Sequence, residues 1–123
     1  MKKLTKAEEE VMMVLWRLEK AFVKEIIAEL PDPKPHYNTI ATIMKILVEK
    51  SFVGYEDLGK TYRYYPLVGK EVYSKKSVSN LVKGYFNGSM ANMVSFFVKE
   101  KDLSVEDLEA IVKAMKENEQ NNP

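Results

Sequence analysis

Cysteine is absent from this 123-residue chain, and histidine occurs once. Without thiolates there is no disulfide framework, no thiolate zinc or copper site and no cysteine nucleophile. His36 alone builds neither an imidazole metal cluster nor a histidine relay. A Gly-rich phosphate loop and a nucleophile elbow are also missing. The chain is therefore read as a non-enzyme with no cofactor and no metal. No apolar run approaches the ~20 residues that span a bilayer, and the N-terminus lacks a signal-peptide core. Cytoplasmic residence without direct membrane insertion is the expectation. Net charge is nearly lacking too, at +1 from 19 basic and 18 acidic residues. Two acidic clusters, Glu8-Glu9-Glu10 and Glu106-Asp107-Glu109, fall on predicted helix surfaces or first turns, where carboxylates favour the positive end of the helix dipole.

What is present is an ordinary globular composition, 46% hydrophobic and 30% charged. It is enough for one compact domain and an appendage. Charge is distributed unevenly. Between Lys34 and Lys70, the basic residues Lys34, Lys45, Lys50, Lys60, Arg63 and Lys70 face Glu49, Glu56 and Asp57, so six less three leaves +3. A local basic surface suits phosphate contacts, although chance produces such an excess as readily.

Thr5 and Glu8 fit a capping box, and Val11, Leu15 and Leu18 follow at helical spacing with Val14 and Trp16 beside them. This predicts a helix to Leu18, with Trp16 in the core. A second helix is expected over Val23–Leu30, with Val23, Ile26, Ile27 and Leu30 inward. Pro31, Pro33 and Pro35 close it, since proline lacks the amide donor. The third helix lies within His36–Lys50, with Ile40, Ile43, Met44 and Leu47 on one face. The period then changes to two. Phe52–Leu58 and Thr61–Leu67 are β-branched and aromatic runs around Gly59-Lys60, which reads as a hairpin with Tyr62 and Tyr64 on one face and Arg63 and Tyr65 on the other. The expected fold is mostly α with a small β-hairpin. A winged helix-turn-helix domain occupies residues 1–70, a helical C-terminal dimerisation segment residues 71–118 and a disordered polar tail residues 119–123.

Small and hydrogen-bonding side chains face away from the apolar stripe of the third helix. A DNA major groove about 12 Å wide admits one helix and is read by such groups. Thr39 and Thr42 suit a thymine methyl or a hydrogen bond, Asn38 suits adenine, and Lys45 reaches guanine or phosphate. Lys60 at the hairpin tip and Arg63 in the returning strand would meet a flanking backbone. His36 has three readings: a helix cap, a phosphate contact or a plain surface residue. The competing reading of the whole face is a winged helix that binds protein and never touches DNA.

Beyond Val68, Leu81, Tyr85 and Phe86 pattern one helix, broken near Asn87-Gly88-Ser89. Met90, Met93, Val94, Phe97 and Val98 pattern a second. Ser104 and Asp107 form another capping-box pair before Leu108, Ile111, Val112 and Met115. Three short amphipathic helices cannot bury their stripes against a hairpin alone. A second copy of the chain is the expected partner, met through Leu81, Tyr85, Phe86, Met90, Val94, Phe97, Leu103, Leu108, Ile111, Val112 and Met115. The alternative is a small ligand held among Met90, Met93, Phe96 and Phe97.

The chain resembles the penicillinase-repressor family, the BlaI, MecI and CopY group of bacterial winged-helix regulators. The likeness runs through Leu4-Thr5-x-Ala7-Glu8-x-Glu10-Val11-Met12 with Leu15-Trp16, Thr39-Ile40-x-Thr42, Lys50-x-Phe52-Val53, Tyr64-Tyr65-Pro66-Leu67-Val68 and Phe97-Val98-x-Glu100-x-Asp102-Leu103-Ser104. The resemblance implies a homodimeric repressor on a palindromic operator, controlling resistance or homeostasis genes. It places Thr39 and Thr42 at operator-contacting positions, with His36, Tyr37, Asn38 and Ala41 as neighbours that differ from the family pattern. It also implies a membrane sensor protease pathway that cuts the dimerisation segment, aligned here with the Phe96–Phe97 bond. Phe96 stands where the family usually has Asn. The family's usual Ser-Pro-Lys start of the helix is His36-Tyr37-Asn38, and Ala41 replaces a basic or amide residue between the threonines. The cysteine-rich C-terminus of copper-responsive relatives is missing.

Overall fold

A computed structural model describes residues 1–121, apart from the side chains of Met115 and residues 118–121. The order is α1 (Lys6–Leu18), α2 (Val23–Glu29), α3 (Tyr37–Glu49), β1 (Val53–Asp57), β2 (Tyr62–Pro66), α4 (Lys70–Tyr85), α5 (Met90–Lys99) and α6 (Val105–Asn121). The chain divides inside α4 into two compact units, one from Met1 to Lys75 and the other from Lys76 onward. Among the described residues no helix is long and apolar enough to cross a membrane.

In the first unit α1 and α2 start where local chemistry supplies a partner for their free amides. Thr5 Oγ1 accepts the Glu8 amide at 3.2 Å, and the Glu8 carboxylate accepts the Thr5 amide at 3.1 Å, which completes the capping box. Glu25 performs the second half of that exchange for α2, accepting the Phe22 amide at 2.8 Å. The Lys34 ammonium donates to the carbonyls of Ala28 and Leu30 and so closes the C-terminal end of α2. The helix α3 starts differently. His36 has extended backbone at its N-cap and makes no side-chain cap bond. Its anchorage is apolar: Ile40, Met44 and Leu47 are buried, each worth about 2 kcal/mol relative to exposure.

Met12, Leu15, Ile26, Met44, Leu47, Phe52 and Val53 form the fully buried centre shared by the three helices and the start of β1. Trp16, expected in the core, sits half-buried at its edge. Its indole N–H donates to the Val68 carbonyl at 2.9 Å, and its ring lies 5.7 Å from Tyr73. The hairpin pairs Tyr55 with Tyr64 and Glu56 with Arg63. Ala21, between α1 and α2, exchanges both backbone bonds with Tyr64, at 2.9 and 2.8 Å. The wing is thus stitched to the helical layer as well as to itself.

One ion pair crosses the core edge. The Lys50 ammonium, at the C-cap of α3, lies 2.5 Å from the Glu8 carboxylate, whose side chain is only 6% exposed. Lys50 also donates to the Lys3 carbonyl at 3.0 Å. Burial pushes the Glu8 carboxyl up, but the bonds from Lys50 and Thr5 and the Lys50 charge outweigh it and hold the group below the ordinary carboxylate range.

The second unit follows the predicted pattern of helices, with breaks at Asn87-Gly88-Ser89 and at 100–104. Ser104 and Asp107 form the expected reciprocal cap, at 3.1 and 3.0 Å, and Ser89 caps α5 at 3.1 Å. The helix α6 reaches Asn121, beyond residue 118 where the sequence reading ended the helical segment. Of the expected tail, Asn122 and Pro123 lie outside the described residues.

Replacing Lys50 by Met leaves the buried Glu8 carboxylate without its cation. Urea denaturation at neutral pH is expected to show a loss of about 2–3 kcal/mol. Because the folded Glu8 value is depressed, its contribution is complete above the ordinary carboxylate value of 4.5 and is lost as pH falls through the lower folded value. The wild type should therefore lose stability below about pH 4.5, and Lys50→Met should have a flatter profile there. Parallel profiles would show that the pair does not shift Glu8.

Candidate nucleic-acid interface

The helix α3 buries one stripe and exposes the rest. Tyr37, Asn38, Thr39, Thr42 and Lys45 are exposed along it, and Ala41 is half-buried. His36 is exposed just before the first turn. Thr42 carries a detail that spacing does not reveal: its Oγ1 donates to the Asn38 carbonyl one turn back, at 2.9 Å. Its proton is therefore directed into its own helix. Outward it offers a lone pair and a methyl group.

The wing is built to present its tip. Asp57 Oδ1 accepts the Gly59 amide at 2.9 Å, and the Leu58 amide donates to the Thr61 carbonyl at 2.9 Å. Gly59 has φ +95°, a conformation that favours glycine, with open space around it. The turn projects Lys60 into solvent. A groove of about 550 Å³ runs between α3 and the hairpin. Tyr37, Ala41 and Lys45 form its helical wall, and Tyr55, Lys60 and Tyr62 its wing wall, with Val23 and Tyr64 beneath. Burial raises the Tyr64 phenol, and the neighbouring phenols of Tyr37, Tyr62 and Tyr55 push it the same way.

The basic excess of the sequence divides in the structure. Lys34 closes α2 and Lys50 holds Glu8. Arg63, expected at a flanking backbone, donates instead to Glu56 at 2.9 Å on the wing face opposite Tyr55, Tyr62 and Tyr64. Lys20 meets the same carboxylate at 2.9 Å and lies 6.0 Å from the Tyr65 ring centroid. The bond from Lys20, then that from Arg63, holds the Glu56 carboxyl below its ordinary value. Among the described residues Lys45, Lys60 and Lys70 form no ion pair, and of these Lys45 and Lys60 line the groove. The sequence reading therefore placed His36, Tyr37, Asn38, Thr39, Ala41, Thr42, Lys45 and Lys60 on or beside one face, while Arg63 points elsewhere. It missed Tyr55 and Tyr62 as groove walls. Their period-two placement with Tyr64 was the available signal.

In the second unit the residues expected at an interface are mostly uncovered. Leu81, Tyr85, Met90, Ile111 and Val112 are exposed. Phe86, Val94, Phe97, Leu103 and Leu108 are half-buried, and the Met115 side chain lies outside the described residues. Val82, absent from the expected set, is the buried residue of this unit among those described. Phe96 and Phe97 lie inside α5, with Phe96 packed 5.7 Å from Phe86.

Three helices on one core, followed by an antiparallel hairpin and with the third helix open along one face, define a winged-helix protein. The chain belongs to the penicillinase repressor family, whose pattern it matches over residues 4–117. It is 29% identical over 109 residues to the methicillin resistance regulatory protein MecI of Staphylococcus aureus, covering 88% of this chain and 89% of that one. It is 27% identical over 120 residues to the penicillinase repressor of Bacillus licheniformis, covering 94% and 91%. The solution structure of the DNA-binding domain of the repressor BlaI superposes with a TM-score of 0.51 at 30% identity, covering 59% of this chain and 94% of that domain.

The Lys20–Glu56–Arg63 cluster predicts a local effect. Glu56→Gln should raise hydrogen exchange at the amides of β1 and β2 while α3 stays protected. Unchanged exchange in the hairpin would show that the cluster does not hold the wing.

Proposed function

We propose that the protein is a homodimeric transcriptional repressor that binds a palindromic operator, with α3 in the major groove and the wing on the flanking backbone. The observation that carries this reading is the division of α3. Its apolar stripe is buried while Asn38, Thr39, Thr42 and Lys45 stand free beside the groove. The likeness to a domain described as the DNA-binding domain of a repressor supports it. Thr39 and Thr42 read bases, Lys45 and Lys60 contact phosphate, and Arg63 keeps the wing in place. Exposed apolar residues on α4, α5 and α6 favour a second copy as their cover. Two half-sites bound together then supply the affinity that one small module lacks.

Release by a protease pathway fits the same design, since severing the second unit abolishes the double engagement without altering α3. The Phe96–Phe97 bond is helical in α5. A protease must unwind that turn first, so local opening of α5 would gate the cut.

Gel shifts with the protein's own promoter test the reading. Thr39→Ala combined with Thr42→Ala should reduce operator preference by about 1–3 kcal/mol per lost base contact. Thr42→Val keeps a methyl and removes the hydroxyl, whose proton is already donated inside the helix. It should therefore lose no donor contact and only what the outward lone pair accepts, a smaller loss than that of the double alanine variant. A double alanine variant with full operator preference would remove α3 from base reading. Lys60→Ala should weaken every duplex and lower the salt slope by about 0.9, whereas Arg63→Ala leaves the slope alone. In sedimentation, Leu108→Asp with Ile111→Asp should give a monomer with weakened operator binding. A persistent dimer would place the interface elsewhere.

A further inference from the structure

Four tyrosines meet in the groove between α3 and the wing. Tyr37 comes from the first turn of α3, Tyr55 from β1, and Tyr62 and Tyr64 from β2. The register explains the wing trio: Tyr55 pairs with Tyr64, and Tyr62 lies two residues from Tyr64 on the same face. Their rings pack edge to face, 4.9 Å apart for Tyr55 and Tyr62 and 6.3 Å for Tyr62 and Tyr64. The rings thus satisfy one another, but the hydroxyls do not. Among the described residues none of these four phenols has a hydrogen-bond partner. Tyr64 is only 8% exposed, yet its oxygen is not among the buried unpartnered atoms, so it too reaches solvent. Tyr37, Tyr55 and Tyr62 are each nearly half exposed, at 49, 48 and 45%. A phenol at neutral pH is a neutral donor. The groove therefore combines aromatic walls, open hydroxyl donors and two ammonium groups, Lys45 and Lys60.

We propose that this groove seats one strand of the DNA backbone, with deoxyribose against the Tyr55 and Tyr62 rings and phosphate oxygens accepting hydrogen bonds from Tyr37, Tyr55 and Tyr62. The proposal rests on the DNA reading above and adds to it a grip that carries no charge. Rings suit the sugar, and hydroxyls and ammonium groups suit the oxygens. Free phosphate shares only the second half of this fit. A continuous strand meets both halves and extends the face presented by Thr39 and Thr42.

The distinguishing property of a neutral donor is its salt behaviour. Lysine contacts release counterions and steepen the salt dependence, whereas a phenol contact adds affinity without changing the slope. The test uses the full chain, a promoter duplex and an unrelated duplex, across a range of salt. Tyr37→Phe, Tyr55→Phe and Tyr62→Phe each remove one oxygen and keep the ring. Each should weaken both duplexes equally, about twofold to tenfold, with the slope unchanged and the thermal midpoint preserved. Methylphosphonate placed at successive linkages should weaken the wild type at one or two of them and weaken the triple Phe variant less there, the remaining loss belonging to Lys45 and Lys60. Inorganic phosphate should displace DNA no better than chloride at equal ionic strength. Three results would overturn the proposal: a triple variant that binds both duplexes like wild type, one that loses only promoter preference, or displacement by inorganic phosphate beyond the chloride control. A wild-type protein that binds neither duplex would instead fail the DNA reading, and this proposal with it.

Discussion

The Glu8 carboxylate is the point at which the first unit is tied together. It accepts the Thr5 amide, which starts α1, and it receives the Lys50 ammonium, which ends α3. Lys50 in turn holds the Lys3 carbonyl, so the segment before α1 is fixed by the same group. This matters because α3 has no side-chain cap at its other end. Its place is set by three buried apolar residues and by this one charged contact. An apolar stripe alone tolerates sliding and rotation, since dispersion contacts are non-directional, while an ion pair with a carbonyl beside it accepts one geometry. A pair of this kind adds little net stability over an apolar substitute. Through it the C-terminal end of α3 is tied to the start of α1 and to the segment before it.

Much of this was legible in the sequence because it is encoded locally. Thr5 with Glu8 and Ser104 with Asp107 are partners three residues apart, and both bonds form. Ile40, Met44 and Leu47 repeat at helical spacing, and all three are buried. Tyr62 and Tyr64 alternate with Arg63, and the hairpin follows. Partners distant in sequence were not legible. Lys50 and Glu8 are 42 residues apart, and Trp16 and Val68 are 52 apart. Counting charges in a window treated Lys50 and Arg63 as members of one basic surface, although each is bound to a carboxylate. Periodicity names a face, but only tertiary packing says which charges remain free on it. The groove was unreadable for the same reason, since Tyr37 and Tyr55 come together only once α3 and β1 have docked.

The second unit inverts this relation. Its helices have caps and breaks where local chemistry predicts them, yet among its described residues only Val82 is buried. Helices of ten to seventeen residues are marginal alone, and most helical stability in proteins comes from packing of an apolar face. Local signals there specify helices without specifying a core. The proposed second copy completes such a segment, and folding of the unit and pairing of two chains would then be one equilibrium.

The internal use of Lys34, Lys50 and Arg63 has a consequence for how such a protein finds its site in a cell. Every basic residue engaged within the protein is one fewer free contact for the vast excess of unrelated sequence in a genome, where binding is almost wholly electrostatic. On the proposed reading, a protein of net charge +1 with two lysines lining its groove is held only loosely by bulk DNA. A large share stays free to diffuse, and occupancy of the operator depends on the quality of the fit there. Loss of one bound half then leaves little electrostatic attraction to detain the other on the chromosome.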